Sequence, residues 1–197
     1  MANEWLPEQH FRTQLATLIG ASSQGDTPFV VAWQGTTYRF ASRHYSDRDR
    51  FTDGEGARRN GGRFTPIGGP RTLYLSLDRA TATAELDSWY AYYNIPDTAF
   101  QPRILAAVAV AVERLLDLSA PATLTELGLT PAQIAEEWRA ISDTGGVAPT
   151  QTFGRMVYES GFEGLRFLSA RRDQGINLAL FPDNYRDGSH ARMLNAE

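Results

Sequence analysis

The stretch DGEGARRNGGRFTPIGGP, residues 53–70, decides which kind of fold the chain can adopt. Its Gly54-Glu55-Gly56-Ala57-Arg58-Arg59 reads G-x-G-x-x, then places Arg where a dinucleotide fingerprint has its third glycine. That fingerprint works only between a strand ending at the first glycine and a helix opening at the last. Here "SDRDRFTD" precedes it, a poor strand, and "NGGRFTPIGGP" follows, which cannot be a helix. A doubly wound nucleotide-binding sheet is excluded on these grounds. What remains is a loop whose glycines permit positive φ and close backbone approach, with N–H groups able to form an anion-binding nest. Its informative part is Gly61-Gly62-Arg63, a turn that presents one arginine just before a strand.

Working outward, the apolar positions Phe11, Leu15, Leu18 and Ile19 predict a helix over 5–19. "GASSQGDTP" reads as a loop, and "FVVAW" and "TTYRF" as two strand pieces divided by a turn at Gln34-Gly35. The long polar segment 41–70 is the kind of irregular connection that compact domains keep only for a function, with His44 an exposed loop residue. "RTLYLSL" alternates as a strand, with Leu73, Leu75 and Leu77 on one face and Tyr74 and Ser76 on the other. Asp78 is placed to cap a helix carrying the stripe Ala82, Leu86, Trp89 and Tyr93. "RILAAVAVAVERLLDL" is ambiguous between helix and strand, and its Val and Ile content favours a strand for the first half. A helical insert over 123–141, with Pro131 in a first turn, and a helix in "PTQTFGRMVYESG" ended by Gly161 follow. "GLRFLSA" and "INLALF" close the chain as two strands. Without regular βαβ alternation, the expected class is α+β with a mixed or antiparallel sheet core and flanking helices.

Composition narrows the chemistry. The 197 residues contain no Cys, which removes thiolate nucleophiles, disulfides and Cys-based zinc sites. All 19 basic residues are Arg, so a Schiff-base lysine and a P-loop lysine are excluded too. The three histidines have no metal-helix spacing, so no metal is expected. Between positions 39 and 71 eight Arg face four acids, a local +4 within a chain of net charge −4. An acidic protein with one arginine-rich, glycine-rich segment suits a small anionic ligand better than nucleic acid, which rewards a broad basic surface. No apolar run reaches the roughly 18–20 residues of a membrane span, and the start lacks a secretory pattern, so the expected location is cytoplasmic.

The pieces YRF (38–40), GEGARRNGGRFTPIG (54–68), LYLS (73–76), ATAEL (82–86), and GLRFLSAR followed by NLALF (164–181) together resemble the RES domain family. The resemblance spans about three-quarters of the chain, from 36 to 182, with 1–35 as a helical extension packed on a domain of 36–197. It implies an ADP-ribosyltransferase-like fold and the toxin of a bacterial toxin–antitoxin pair that breaks the nicotinamide–ribose bond of NAD+. By the resemblance, Arg39, Gly62, Arg63, Tyr74 and Ser169 bind the dinucleotide, and Glu85 acts on it with Arg39 and Tyr74. NAD+ is then a substrate, no cofactor is needed, and inorganic phosphate is a second substrate if the reaction is a phosphorolysis rather than a hydrolysis. Transfer of ADP-ribose to a protein, and nucleotide binding without catalysis, are the alternatives. The implied partner is an antitoxin with an Xre-like helix-turn-helix domain, in a hetero-oligomer. The sequence departs from many relatives after the Gly-Gly-Arg turn, where Phe64 and Thr65 replace Trp and Asn.

The chemistry of that bond gives each residue a task. Nicotinamide leaves neutral and needs no acid, so the protein must hold the phosphates, fix the ribose and stabilise positive charge at the anomeric carbon. Arg39 and Arg63 suit the phosphates, and Glu85 suits the ribose and the developing cation. Tyr74 offers a ring to stack on nicotinamide and a hydroxyl, Ser169 a hydroxyl for ribose or phosphate, and Arg171 or Arg172 a further reach to phosphate. Each has a plain structural alternative: Glu85 as a surface helix residue, Tyr74 as a β-face aromatic, Ser169 as an end-of-core serine, and Glu136 and Glu137 as solvated charges.

Overall fold

The structure, a computed structural model of the chain, describes residues 4–22, 28–42, 48–96 and 103–196. The first helix, α1 (Glu8–Ser22), begins after Pro7 and leads to a 13-residue strand, β1 (Val30–Ser42). Short helices α2 (Arg48–Thr52) and α3 (Glu55–Asn60) occupy part of the polar segment. Strand β2 (Leu73–Ser76) and helix α4 (Arg79–Tyr92) are followed by the 15-residue β3 (Arg103–Asp117). Three short helices, α5 (Pro121–Leu127), α6 (Pro131–Ala135) and α7 (Arg139–Ser142), make up the insert. Helix α8 (Pro149–Glu159) and strands β4 (Gly164–Leu168), β5 (Ile176–Leu180) and β6 (His190–Ala196) complete the described chain. The loop expected at 20–28 lies largely outside the described residues, and so does His44.

The strands follow the order β1-β2-β5-β4-β3-β6, and β1 also pairs with β3. Pairing is antiparallel except between β3 and β4, so the sheet is mixed, as expected. Because β1 touches β3 along its length and β2 at Tyr38↔Ser76, the first five of these strands close into a ring. Strands β6 and β4 share one edge of β3 end to end, and β1 takes the other.

Two sequence expectations change here. No turn forms at Gln34-Gly35: Gln34 pairs with Ala111 and Gly35 with Val110, inside one strand that also runs through the boundary drawn at residue 35. The uninterrupted β3 offers partners on both sides of the glycine, and the Trp33 indole covers the space a Cβ at Gly35 would enter, 3.1 Å away. Long-range pairing therefore overrides local turn preference. The "RILAAVAVAVERLLDL" segment is strand from Arg103 to Asp117, not only in its first half. Strand β6 was not anticipated.

Cores lie on both sides of the sheet. Phe11, Leu15 and Leu18 of α1 join Phe153, Met156 and Val157 of α8, residues of the insert, and Phe64, Leu165, Phe167, Ala179 and Phe181. Leu73, Leu75, Val108, Val110, Leu178 and Leu180 form the other. The two-residue strand period thus puts the β2 leucines in one core and leaves Tyr74 and Ser76 on the opposite face, as read from the sequence. Across β2, β5 and β4, Ser76 faces Asn177 and Asn177 faces Phe167, one row at the end of the sheet.

Candidate active site

The glycine-rich segment folds as a tight turn held from three directions. Gly61 follows α3 at φ 76°, in the left-handed region. Gly62 and Thr65 then exchange backbone hydrogen bonds, N–H to carbonyl at 2.8 and 3.1 Å, which sets Arg63 and Phe64 at the tip. Phe64 is fully buried, its ring edge-on to Phe167 at 4.8 Å between centroids. Gln151 of α8, also buried, donates to the carbonyls of Gly62 and Thr65 at 3.1 and 3.2 Å. A Cβ at Gly62 would meet the Tyr74 ring and hydroxyl at 2.6–2.8 Å, so only glycine lets that ring close over the turn.

The Tyr74 hydroxyl accepts the Phe64 N–H at 2.8 Å and lies 3.2 Å from Thr65 Oγ1. Thr65 donates to Thr72 at 2.7 Å and Thr72 to the Pro70 carbonyl at 3.2 Å, so Tyr74 supplies the hydrogen to Thr65. Its ring lines the cleft, but its hydroxyl belongs to the turn. Burial pushes the Tyr74 pKa from 10.0 up to about 12, against the opposing pull of the Thr65 and Phe64 hydrogen bonds and of Arg63. A phenol whose folded pKa is raised stabilises the protein below pH 10 and loses that contribution as pH climbs through about 12. Tyr74→Phe is expected to lower stability by about 1–3 kcal/mol at pH 7, since two partners lose their bond. It is also expected to reduce the alkaline loss of stability between pH 10 and 12, leaving the parts due to Tyr92, Tyr93 and Tyr185, which burial also raises. Urea midpoints across pH measure both.

Arg63 is only 9% exposed. Its Nη1 donates to the carbonyls of Ile134 and Glu136 at 2.8 and 2.7 Å. Those carbonyls stand at the end of α6, where the last turn of any helix leaves acceptors without partners. The five-residue α6 ends at once because Glu136 leaves the helical region at ψ 143°. Burial lowers the Arg63 pKa, against the raising influence of Glu85, and a guanidinium so perturbed is still cationic. Among the described residues no carboxylate forms an ion pair with it.

Glu85 projects from α4, which Asp78 caps by accepting the Thr81 N–H at 2.8 Å. Its Oε1 accepts from Ser169 Oγ and from Asn177 Nδ2, each at 2.7 Å. Asn177 is oriented in turn by Ser76, whose hydroxyl donates to its Oδ1 at 2.7 Å. One carboxylate oxygen is thereby fixed, and Oε2 has no hydrogen-bond partner among the described residues. Asn177 carries no sequence motif of its own; its alternation with Ala179 and Phe181 in NLALF is the signal that places it on this face.

A cleft of about 720 Å³ brings Arg39, Gly62, Arg63, Tyr74 and Glu85 to one wall system, together with Asn177. That volume is within the range of small-molecule sites, about 300–1,000 Å³. Ser169 is not on its lining and reaches it only through Glu85. Arg39 donates to the Phe51 carbonyl at 2.6 Å and stacks on the Phe51 ring at 5.4 Å. It also borders a neighbouring cavity of about 250 Å³. The α4 stripe Ala82, Leu86, Trp89 and Tyr93 forms a side of the cleft, with Ala82 buried and Tyr93 44% exposed. Arg171 pairs with Glu137, and Arg172 with Asp78 at 3.2 Å, so both are engaged by the protein. Glu137, expected to be solvated, pairs with Arg139 as well, at 3.2 Å. Among the described residues no helix is long and apolar enough to cross a membrane.

A ring of mixed strands, whose end row holds a helix-borne carboxylate through Asn177, with arginines from a glycine turn and a neighbouring strand lining the same cleft, defines a protein of the α+β class. The fold is similar to that of a chain in the crystal structure of the M. tuberculosis MbcT–MbcA toxin–antitoxin complex. The TM-score is 0.72 and the identity 20%, over 93% of this chain and 91% of that one. No curated protein matches the sequence. The RES domain family model matches residues 36–195, and the chain belongs to that family.

Proposed function

We propose that the protein is the toxin of a bacterial toxin–antitoxin pair and that it breaks the bond between nicotinamide and ribose in NAD+. The observation that carries this reading is Glu85, fixed through Oε1 by Ser169 and Asn177 with Oε2 left for a ligand, in a cleft shared with Arg39 and Arg63. Family membership and the fold shared with a chain of a toxin–antitoxin complex support it.

In this reading the C–N bond breaks with its electron pair going to the pyridinium nitrogen, and neutral nicotinamide departs. The anomeric carbon is left as an oxocarbenium, beside which Glu85 supplies negative charge while accepting from a ribose hydroxyl. Arg39 and Arg63 hold the phosphates, Gly62 allows the chain to approach them, and the Tyr74 ring forms the wall for the base. Water or inorganic phosphate then forms the new bond to the anomeric carbon and loses a proton to solvent. The activity requires restraint in the cell, and an antitoxin with an Xre-like helix-turn-helix domain supplies it by covering the cleft. The site of action is the cytoplasm, where NAD+ is held.

Purified protein incubated with NAD+ is expected to release nicotinamide. Parallel reactions with and without phosphate, followed for ADP-ribose against its 1''-phosphate, separate hydrolysis from phosphorolysis. Radiolabel from NAD+ appearing on a protein would shift the reading to transfer. Intact NAD+ after hours with folded protein defeats all three.

A further inference from the structure

Arg103 opens β3 opposite Ser42 of β1 and belongs to no motif read from the sequence. It lines both the main cleft and the 250 Å³ cavity beside it. Its guanidinium carbon stands 5.0 Å from the Trp89 ring centroid and 5.8 Å from that of Tyr90. No described residue supplies it with a hydrogen-bond acceptor or a carboxylate, and its Nε is buried without a partner. Other arginines of the fold are paired: Arg71 with Asp183, Arg166 with Asp117, Arg171 with Glu137 and Arg172 with Asp78.

A cation kept in a cavity wall without a counter-ion among the described residues calls for an explanation, because buried donors in native proteins are almost always satisfied. Stacking on an indole fixes the plane of the guanidinium, and its N–H bonds lie in that plane. The exposed edge is therefore preset for two oxygens of a tetrahedral anion. The smaller cavity offers the complementary charge. Arg39 and Arg50 line it with Arg103, while Asp53, the one carboxylate on its lining among the described residues, spends Oδ1 on the Glu55 N–H at 2.8 Å.

We propose that Arg103, oriented by Trp89, is an anion-binding residue of this cleft and takes a phosphoryl group together with Arg39. The phosphoryl group belongs either to the dinucleotide or to free phosphate, and only that assignment rests on the function proposed above. Arg63, whose Nη1 is held by the end of α6, then serves the phosphate nearer Glu85.

The test is calorimetric titration of the full chain with ADP-ribose and, separately, with inorganic phosphate. It compares wild type, Arg103→Gln, Arg103→Lys, and Arg192→Gln as an exposed control on β6, with folding checked by circular dichroism. Arg103→Gln is expected to weaken ADP-ribose about 10- to 100-fold, the worth of a charged hydrogen-bond pair. Arg103→Lys keeps the charge without the planar fork, recovers part of this, and decides the matter if the Gln variant fails to fold. Arg192→Gln changes nothing. Loss confined to inorganic phosphate assigns the site to free phosphate; loss of ADP-ribose assigns it to the dinucleotide. Affinities for both within twofold of wild type in the Arg103 variants overturn the inference, and so does a wild type that binds neither. If wild type leaves NAD+ intact yet binds phosphate through Arg103, the functional reading fails and the anion site stands.

Discussion

Glu85→Gln is expected to lower nicotinamide release from NAD+ by about 10³-fold while leaving the fold and the binding of ADP-ribose nearly unchanged. The magnitude follows from what the amide can and cannot imitate. Ser169 and Asn177 both donate to Oε1, at 2.7 Å, so a glutamine here is forced to turn its carbonyl toward them. Its NH2 then occupies the place of Oε2 and offers a donor where a carboxylate offers an acceptor and a negative charge. Ground-state contacts with the phosphates are untouched, whereas the charge opposite the developing oxocarbenium is gone, so the loss falls on kcat and not on binding. Glu85→Asp keeps the charge but draws the carboxylate back by one methylene from its two anchors, and an intermediate rate is expected. Steady-state release of nicotinamide, with ADP-ribose affinity measured on the same samples, tests the argument. A glutamine variant retaining a tenth of the wild-type rate would remove Glu85 from the chemistry.

Glu85 was singled out through the resemblance to the RES domain family, and the chain's own signals indicated only its setting. Period-two alternation in "RTLYLSL" put Tyr74 and Ser76 on the face away from the leucines, and Asp78 marked the helix that delivers Glu85 seven residues later. Those are local signals, and local signals survive folding when nothing distant competes with them. The partners of Glu85 are of another kind. Asn177 and Ser169 lie 92 and 84 positions away and meet it because β5 and β4 take particular registers beside β2. No spacing in the chain encodes those registers. The α4 stripe shows a related limit: Ala82, Leu86, Trp89 and Tyr93 have the periodicity of a packing face, and all four line the cleft. An apolar face looks the same from sequence whether it packs on side chains or waits for a ligand. Arg103 shows the reverse, a single charge at a strand end whose meaning comes only from Trp89 beneath it and from the absence of a described acid beside it.

Gly154→Ala is expected to lower stability by about 3–4 kcal/mol, near the top of the range for a single methyl group. Helix propensity alone argues the other way, since alanine is favoured over glycine inside a helix by about 1 kcal/mol. In α8, however, a Cβ at Gly154 would overlap the carbonyl oxygen of Phe64 and crowd its Cβ. Neither can yield: the Phe64 ring is wedged on Phe167, and its flanking residues Gly62 and Thr65 are bonded to each other and to Gln151. The substitution must push the turn off the helix, and Arg63 with it, so activity is expected to fall by a larger factor than the loss of folded protein explains. Gly20→Ala in α1 provides the opposite sign from the same chemistry. Among the described residues nothing lies within 4 Å of a Cβ there, and only the propensity gain remains, a rise of several tenths to about 1 kcal/mol. Urea unfolding with unchanged m-values reads both as differences in midpoint. Equal effects at the two glycines would mean that α8 and the arginine turn are not in contact, and that Arg63 is aimed by the short loop alone.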